Sequence, residues 1–496
     1  MTTYTKSAVK GASIVFVVSI IAAFLGYLVR LVLARNLTLE EFGLFYSVFA
    51  FLGMIGIFKS FGFDRALAKF IPEFLHKKRK DYIKSSIIYV SVIQLITNTI
   101  IITLVYLLSN FLALHFFNSS QASIVLRLMA IAFFIDSFVL TLKFSFQGFK
   151  RMLYFSGIDL VRMLLLVAII FIGFRLEFGL FSPVIAYIAA PIILFFLFGY
   201  LLINKVFPEF IKSQFVLDKN LLKKISKYSI FIMATSAGAI IIGYTDIVVL
   251  TFFSGLKEVA LYSIALPTAR ILIYIPNAIG NVLLPLTSEL WVKRKLVLLR
   301  IGMESVYKYS TIITIPLVFI MFSFADLIIK ILFGEDYILA TNAMKILSIG
   351  MLFLAIHRVN ANFFSGIGKP QIITKIVYSA AIFNLIANLV LIPIWGIIGA
   401  AIATATSYFI GMLMGLTKIR KFIKISLPIN LWIKTLISGI ILVLIIWFSK
   451  RVISLNVWLE TSIVLIISGI VYITLLFLLN VINIEELKDL YKRIFR

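Results

Sequence analysis

The chain has 496 residues, 62% of them hydrophobic and 14% charged, with a formal net charge of +26 and no cysteine. Soluble globular proteins average about 45–50% apolar and about 25% charged residues, so a water-soluble domain is excluded. The absence of cysteine removes any disulfide frame, thiol nucleophile or cysteine-based metal site, and His76, His115 and His357 have no metal-ligand spacing. The runs Ile14–Val29, Ile124–Ile135, Met163–Phe174 and Leu431–Phe448 are almost free of charge, and a membrane-spanning helix needs about 20 mostly apolar residues. The sequence therefore reads as an all-α polytopic membrane protein. Its Lys and Arg residues sit in short tracts between the apolar runs, as the positive-inside rule describes, and argue against a nucleic-acid partner.

In chain order, fourteen spans are predicted at roughly 11–33, 41–63, 86–109, 122–146, 157–174, 180–203, 228–253, 259–289, 307–325, 340–366, 371–393, 396–417, 431–449 and 457–480. Lys6 and Lys10 lead into an apolar stretch longer than a signal core, so the first run is expected to be a retained span. The second is expected to close at Asp64-Arg65. The eighth carries Pro267, Pro276 and Pro285 and is predicted to bend. With the N-terminus inside, the inner segments hold 30 Lys and Arg against six outside, which places both termini in the cytoplasm. The basic segments Arg65–Lys84 and Lys205–Lys227 fit orientation and contact with anionic lipid headgroups.

The two halves resemble each other at an offset of about 217 residues. Gly26-Tyr27 matches Gly243-Tyr244, Glu41 matches Glu258, Tyr46-Ser47 matches Tyr262-Ser263, Glu73 matches Glu289, Phe117 matches Phe333, Arg127 matches Lys345 and Gly148 matches Gly366. Six spans separate the matched positions, so both halves enter the membrane in the same direction: a parallel repeat, as in one class of secondary transporters. The expected organisation is a six-helix lobe at 1–220, a second at 221–425, a central cavity, and an added helix pair with a basic tail at 426–496.

Fourteen spans, two six-helix lobes and the segment Leu332-Phe333-Gly334-Glu335-Asp336-Tyr337 resemble the Wzx-type polysaccharide and O-antigen flippases. Their superfamily also holds the multidrug and toxin extrusion antiporters and the peptidoglycan-precursor flippases. The resemblance implies a non-enzymatic carrier of a polyprenyl-diphosphate-linked oligosaccharide, working from inner to outer leaflet by alternating access through a cationic cavity. It also implies a plasma-membrane setting, with glycan polymerases or transferases as partners. No cofactor is expected beyond H⁺ or Na⁺ coupling, and a monomer surrounded by membrane lipids is expected.

Charges at membrane depth face a cavity or a partner by default. Lys59, Lys143, Lys308, Lys375 and Lys434, with Arg127 and Lys345, lie near span ends and read as snorkelling anchors. Arg270 lies near the midplane of span 8, with Tyr274, Asn277 and Asn281 along one helical face. That polar stripe lines water or forms a helix–helix seam. Span 10 carries His357 and Arg358, with Asn362 and Ser365 on the face of Arg358; span 1 carries Tyr27 and Arg30. Arg30, Arg65, Arg270 and Arg358 are candidates for a diphosphate-binding lumen, with Tyr274, Asn277 and Asn362 beside them. The resemblance supports Arg30, Arg65 and Arg270 by span position. Asp136, Asp246 and His357 are candidates for ion coupling, and the two aspartates serve equally well as counter-ions. Asp159 and Arg162 form an expected i, i+3 ion pair, and Gln94 with Asn98, and Asn384 with Asn388, read as helix seams in preference to a sugar-binding site, which favours the same groups. The alternative function is a cation-coupled multidrug or small-molecule exporter, which favours acidic cavity groups. A membrane glycosyltransferase or polymerase needs acidic residues on a sizeable loop, and Glu335-Asp336 is the one compact outer motif. For a scaffold role there is no positive sign.

Overall fold

The computed structural model describes residues 3–452 and 456–483, with side chains from Gly11 onward except those of residues 12, 13, 279, 281, 282 and 452. The basic tail from 484 and the side chains of Lys6, Lys10 and Asn281 thus lie outside the described set. All regular structure among the described residues is helical. Two compact units divide the chain at 263/264. The first holds α1 (Thr3–Asn36), α2 (Leu39–Ile55), α3 (Ile57–Ser60), α4 (Phe63–His76), α5 (Lys80–His115), α6 (Gln121–Gly148), α7 (Met152–Arg175), α8 (Phe181–Leu201), α9 (Lys219–Phe253) and the start of α10 (Leu256–Arg270). The second holds the rest of α10, then α11 (Tyr274–Val292), α12 (Leu296–Ser323), α13 (Ala325–Leu332), α14 (Thr341–Gly366), α15 (Pro370–Ile419), α16 (Ile429–Val452) and α17 (Val457–Leu478).

Twelve helical segments among the described residues are long and apolar enough to cross a bilayer. One of them, α15, is 50 residues long and bends at Gly396, whose φ of 53° and ψ of −130° no β-carbon-bearing residue adopts readily, so it supplies two spans. The 17-residue α2 is apolar but broken from its continuation, and completes the expected fourteen. Large apolar side chains such as Leu107, Phe196 and Trp458 stand exposed on these helices. Water would penalise such a surface at about 25 cal/mol per Å²; hydrocarbon does not.

Local chemistry sets the helix ends. Thr38 and Glu41 form a reciprocal capping box at the start of α2, with Glu41 N–H donating to Thr38 Oγ1 (3.3 Å) and Thr38 N–H donating to the Glu41 carboxylate (3.0 Å). The second span does not end at Asp64-Arg65 as expected. It is interrupted after α2 and again at Phe61 (φ 46°) and Gly62 (φ 77°), and α4 then runs on to His76. Asp64, in the first turn of α4, is buried and accepts from Ser60 Oγ (2.9 Å) and from the Arg65 N–H (2.8 Å), where a carboxylate suits the positive end of the helix. The predicted bend in the eighth span falls at the 3₁₀ turn Ile271–Ile273 between α10 and α11, where Pro276 cannot donate to the Leu272 carbonyl.

The internal repeat is visible in the backbone. Left-handed residues recur in register: Lys78 with Arg294 and Asn118 with Gly334, each 216 apart, and Lys150 with Gly368, 218 apart. The turns that hold them match too, Arg79 N–H bonding Phe74 O and Lys295 N–H bonding Leu290 O. A β-carbon on Gly148 would meet Leu67 O at 2.8 Å, and one on Gly366 would meet Leu284 O at 3.0 Å. Each unit therefore builds the same close helix crossing from its own residues.

At the basic end of the first unit, the segment from Phe207 to Asp218 is tied down as a strap. Lys80 pairs with Glu209 (2.7 Å), Tyr82 donates to Asp218 (2.6 Å), and Tyr89 donates to Val216 O (2.9 Å). Glu73 on α4 receives Lys224 and Lys77, both at 2.7 Å. Hydrogen bonds from Lys224 and then Lys77 hold the Glu73 carboxyl below its usual value of 4.5. A carboxyl lowered by folding contributes stability above its unfolded value, and the contribution disappears as pH falls through the lowered one. Glu73→Gln is expected to cost less than about 1 kcal/mol at neutral pH, as for other solvent-screened pairs. It is also expected to flatten the loss of stability on acidification below 4.5. Thermal unfolding of both forms in detergent between neutral and acid pH reads both effects; an unchanged acid limb contradicts this assignment.

Candidate functional site

In the second unit, the break after α10 leaves Arg270 at the end of a helix, exposed and 3.4 Å from the Tyr408 hydroxyl of α15. Arg358, on α14, is likewise exposed and lies within electrostatic range of both Arg270 and Tyr408. Tyr274 follows Arg270 by one turn and is 48% exposed. Asn277 and Asn362 are half-buried, and a β-carbon on Gly280 would lie within contact of the Asn362 amide, so α11 and α14 approach closely there. The arrangement gathers two guanidinium groups and a phenol near a helix break, a donor-rich site suited to phosphate oxygens. Tyr408 was not singled out from sequence; its spacing in an apolar helix carries no signal. His357 turns elsewhere, its Nδ1 beside Gly411 of α15.

In the first unit, Arg30 on α1 stacks over the Tyr46 ring (4.3 Å) and donates to the Ser263 carbonyl. Arg65 is exposed, bonds Ser236 Oγ of α9 (2.8 Å) and faces the Phe144 ring at 6.0 Å. The two arginines thus have separate partners. Asp246 on α9 is buried and accepts from the Tyr262 hydroxyl of α10 at 2.6 Å.

Asp136 on α6 sits between two cations, Lys59 Nζ at 2.8 Å and Arg162 Nη1 at 2.5 Å. This overturns two expectations. Arg162 does not pair with Asp159, one turn away on its own helix; Asp159 instead takes Lys143 of α6 through both oxygens at 2.7 Å. Nor do Lys59 and Lys143 extend toward headgroups. Inside hydrocarbon an interhelical carboxylate offers more than a snorkelling path through a packed bundle, so both lysines turn inward. Two glycines, Gly56 and Gly62, flank Lys59 in sequence and were the available sign of a broken helix carrying a charge. The amide pairs do form seams: Thr141 donates to Gln94 (2.6 Å), Asn98 to Lys59 O (2.8 Å), and Asn384, itself accepting from Asn388, donates to Thr404 across the Gly396 bend (3.4 Å).

A polytopic helical bundle with charged groups at a broken span has the build of a membrane transporter, and comparison with known proteins places it in the multidrug/oligosaccharidyl-lipid/polysaccharide superfamily. A model of the polysaccharide biosynthesis protein family matches residues 8–291 and a MatE model matches residues 232–390. An uncharacterised membrane protein of Methanocaldococcus jannaschii is 35% identical over 99% of both chains. A Haloferax volcanii protein named "Probable low-salt glycan biosynthesis flippase Agl15" is 22% identical over 98% of both. The fold is similar to that of a lipid II flippase, MurJ, solved in an inward closed conformation, with a TM-score of 0.76, 15% identity and coverage of 97% of this chain and 99% of that one. An inward-facing multidrug resistance MATE transporter gives a TM-score of 0.68 at 16% identity, covering 80% and 95%. The chain belongs to the polysaccharide biosynthesis protein family of flippases and transporters.

The Lys59–Asp136–Arg162 group has two cations for one anion, so its members are unequal. Asp136→Ala strands two charges and is expected to cost about 3 kcal/mol or more. Lys59→Met leaves a one-to-one pair and is expected to cost less than half as much. Thermal unfolding in detergent measures both; equal losses contradict a shared carboxylate.

Proposed function

We propose that this protein flips a polyprenyl-diphosphate-linked oligosaccharide from the cytoplasmic to the outer leaflet, for surface polysaccharide or glycan synthesis. The observation that carries this reading is the Arg270–Tyr408–Arg358 cluster. A diphosphate carries its charge on oxygens that accept paired N–H donors, and guanidinium groups stay charged throughout the cycle. The headgroup is held by these arginines, with Arg30 and Arg65 as further cationic contacts in a cavity that opens alternately to each side. Tyr274, Asn277 and Asn362 face the first sugars, while the polyprenyl chain stays in lipid. Transport is driven by H⁺ or Na⁺, and glycan polymerases or transferases act before or after it. The excess of Lys and Arg in one set of loops supports a plasma-membrane protein with both termini cytoplasmic.

An exporter of organic cations is disfavoured by the same chemistry. It needs an available carboxylate, yet Asp136 is taken by two cations and Asp246 accepts from Tyr262.

The test is leaflet sidedness of lipid-linked oligosaccharide in membranes with and without the chain, read by an impermeant glycosidase or lectin. Loss of the protein is expected to trap the oligosaccharide inside, and the unmodified chain to release it. Arg270→Ala removes a charged donor contributing about 1.5–3 kcal/mol and is expected to slow flipping about 10- to 100-fold. Arg270→Lys keeps the charge but not the paired donors and falls between. A full rate from a folded Arg270→Ala chain removes that residue from the mechanism; unchanged sidedness across candidate glycans removes the flippase reading.

A further inference from the structure

We propose that Lys59, rather than Asp136, is the group that binds and releases a proton within the first unit. The proposal rests on reading the chain as a transporter. It starts from a charge imbalance at membrane depth: Lys59 and Arg162 share the single carboxylate of Asp136, at 2.8 and 2.5 Å. The three side chains are only 11%, 20% and 19% exposed, so solvent does little to offset the surplus positive charge.

Three groups could in principle discharge it. A guanidinium does not deprotonate in a protein, which excludes Arg162. Protonating Asp136 would leave Lys59 and Arg162 with no carboxylate in ion-pair contact, since Asp64 acts on Lys59 only at longer range and is already engaged by Ser60 and the Arg65 N–H. Deprotonating Lys59 removes the surplus: its ammonium becomes an amine, the proton leaves to water, and Asp136 and Arg162 remain as a neutral pair. The cavity beside Lys59, about 20 Å³ and also lined by Asn98, has room for one water to accept it.

Asp136 from α6, Arg162 from α7 and Asp64 from α4 are the charged groups within range of Lys59; Asp64 favours the ammonium, but acts more weakly than Arg162, which opposes it. Arg162 in turn lies within range of Tyr187 on α8. From α5 come the uncharged Asn98 and Thr97, from α6 the Phe133 ring at 5.1 Å, and α9 sets Tyr244 against Gly53 of α2.

Lys59 also sits where its charge has leverage. It rides on α3, four residues long, between the end of α2 and the left-handed Phe61–Gly62. The α3 backbone is held by Asn98 Nδ2 on Lys59 O (2.8 Å), and its side chain by Asp136. Loss of the charge weakens the second hold and frees the bend of the span. Proton release is thereby linked to helix geometry.

The experiment is pH-difference infrared spectroscopy of the full chain in lipid vesicles, with the aspartates carboxyl-labelled with ¹³C. Asp136→Glu keeps the carboxylate and, by subtraction, identifies the Asp136 signal. The expected result is a pH-dependent shift of the Asp136 carboxylate stretch, no protonated-carboxyl band from it, and loss of the shift in Lys59→Arg. Should Lys59→Arg fail to fold, Lys59→Gln replaces it and is expected to show the alkaline wild-type spectrum at every pH. A protonated-carboxyl band from Asp136, no shift in the wild type, or a shift that persists in either variant overturns the proposal. The spectra require no transport. A failed leaflet assay with the shift present removes the flippase reading and leaves the proton site; the reverse outcome removes the proton site alone.

Discussion

The structure depends on one constraint: a charge inside a bilayer must be matched by a partner, because hydrocarbon cannot solvate it. Most of the chain obeys by carrying no charge at all. The exceptions divide into two kinds. Lys59, Asp136, Arg162, Lys143 and Asp159 satisfy one another between helices α3, α6 and α7. Arg270 and Arg358 lie near the Tyr408 phenol, and both stand exposed on the second unit. The first arrangement holds a bundle together; the second presents charge to whatever enters.

The duplicated scaffold clarifies why these groups stand out. Left-handed turns, helix caps and the Gly148 and Gly366 crossings recur in both halves, as does the surface pair Glu73–Lys77 in Glu289–Lys293. Apart from Arg127 and Lys345 near the span ends, these intramembrane charges do not recur. At the repeat offset Lys59 meets Pro276, Asp136 meets Leu354 and Arg162 meets Ala380, while Arg270 meets Gly53 and Arg358 meets Leu140. Architecture comes from what the halves share, and chemistry from what they do not. The two breaks follow the same logic, since the second span is interrupted beside Lys59 and the eighth beside Arg270.

Hydropathy made the spans and the repeat legible, because apolar runs and turn residues are local properties. The bend at the prolines of span 8 was legible for the same reason. Pairing was not. Arg162 stood one turn from Asp159, yet helices α6 and α7 bring Asp136 closer to it and give Asp159 to Lys143. Sequence spacing ranks partners along one helix, whereas in a bundle the neighbours across the interface compete on equal terms. Tyr408 was invisible for a related reason: a phenol in an apolar span reads as packing until a guanidinium is placed beside it.

This division bears on how a carrier of anionic cargo avoids trapping it. A site of permanent charge binds a diphosphate equally in every conformation unless something else changes, and equal affinity shifts no equilibrium. Arginines supply constancy, since their charge does not titrate. A lysine held by a shared carboxylate supplies the variable element, because its charge is the one the surrounding electrostatics allow to be lost. Lys59 is placed on a four-residue helix between two breaks, so the proton release proposed for it is coupled to backbone geometry. Such a coupling is what a carrier needs in order to release from one side what it has bound from the other.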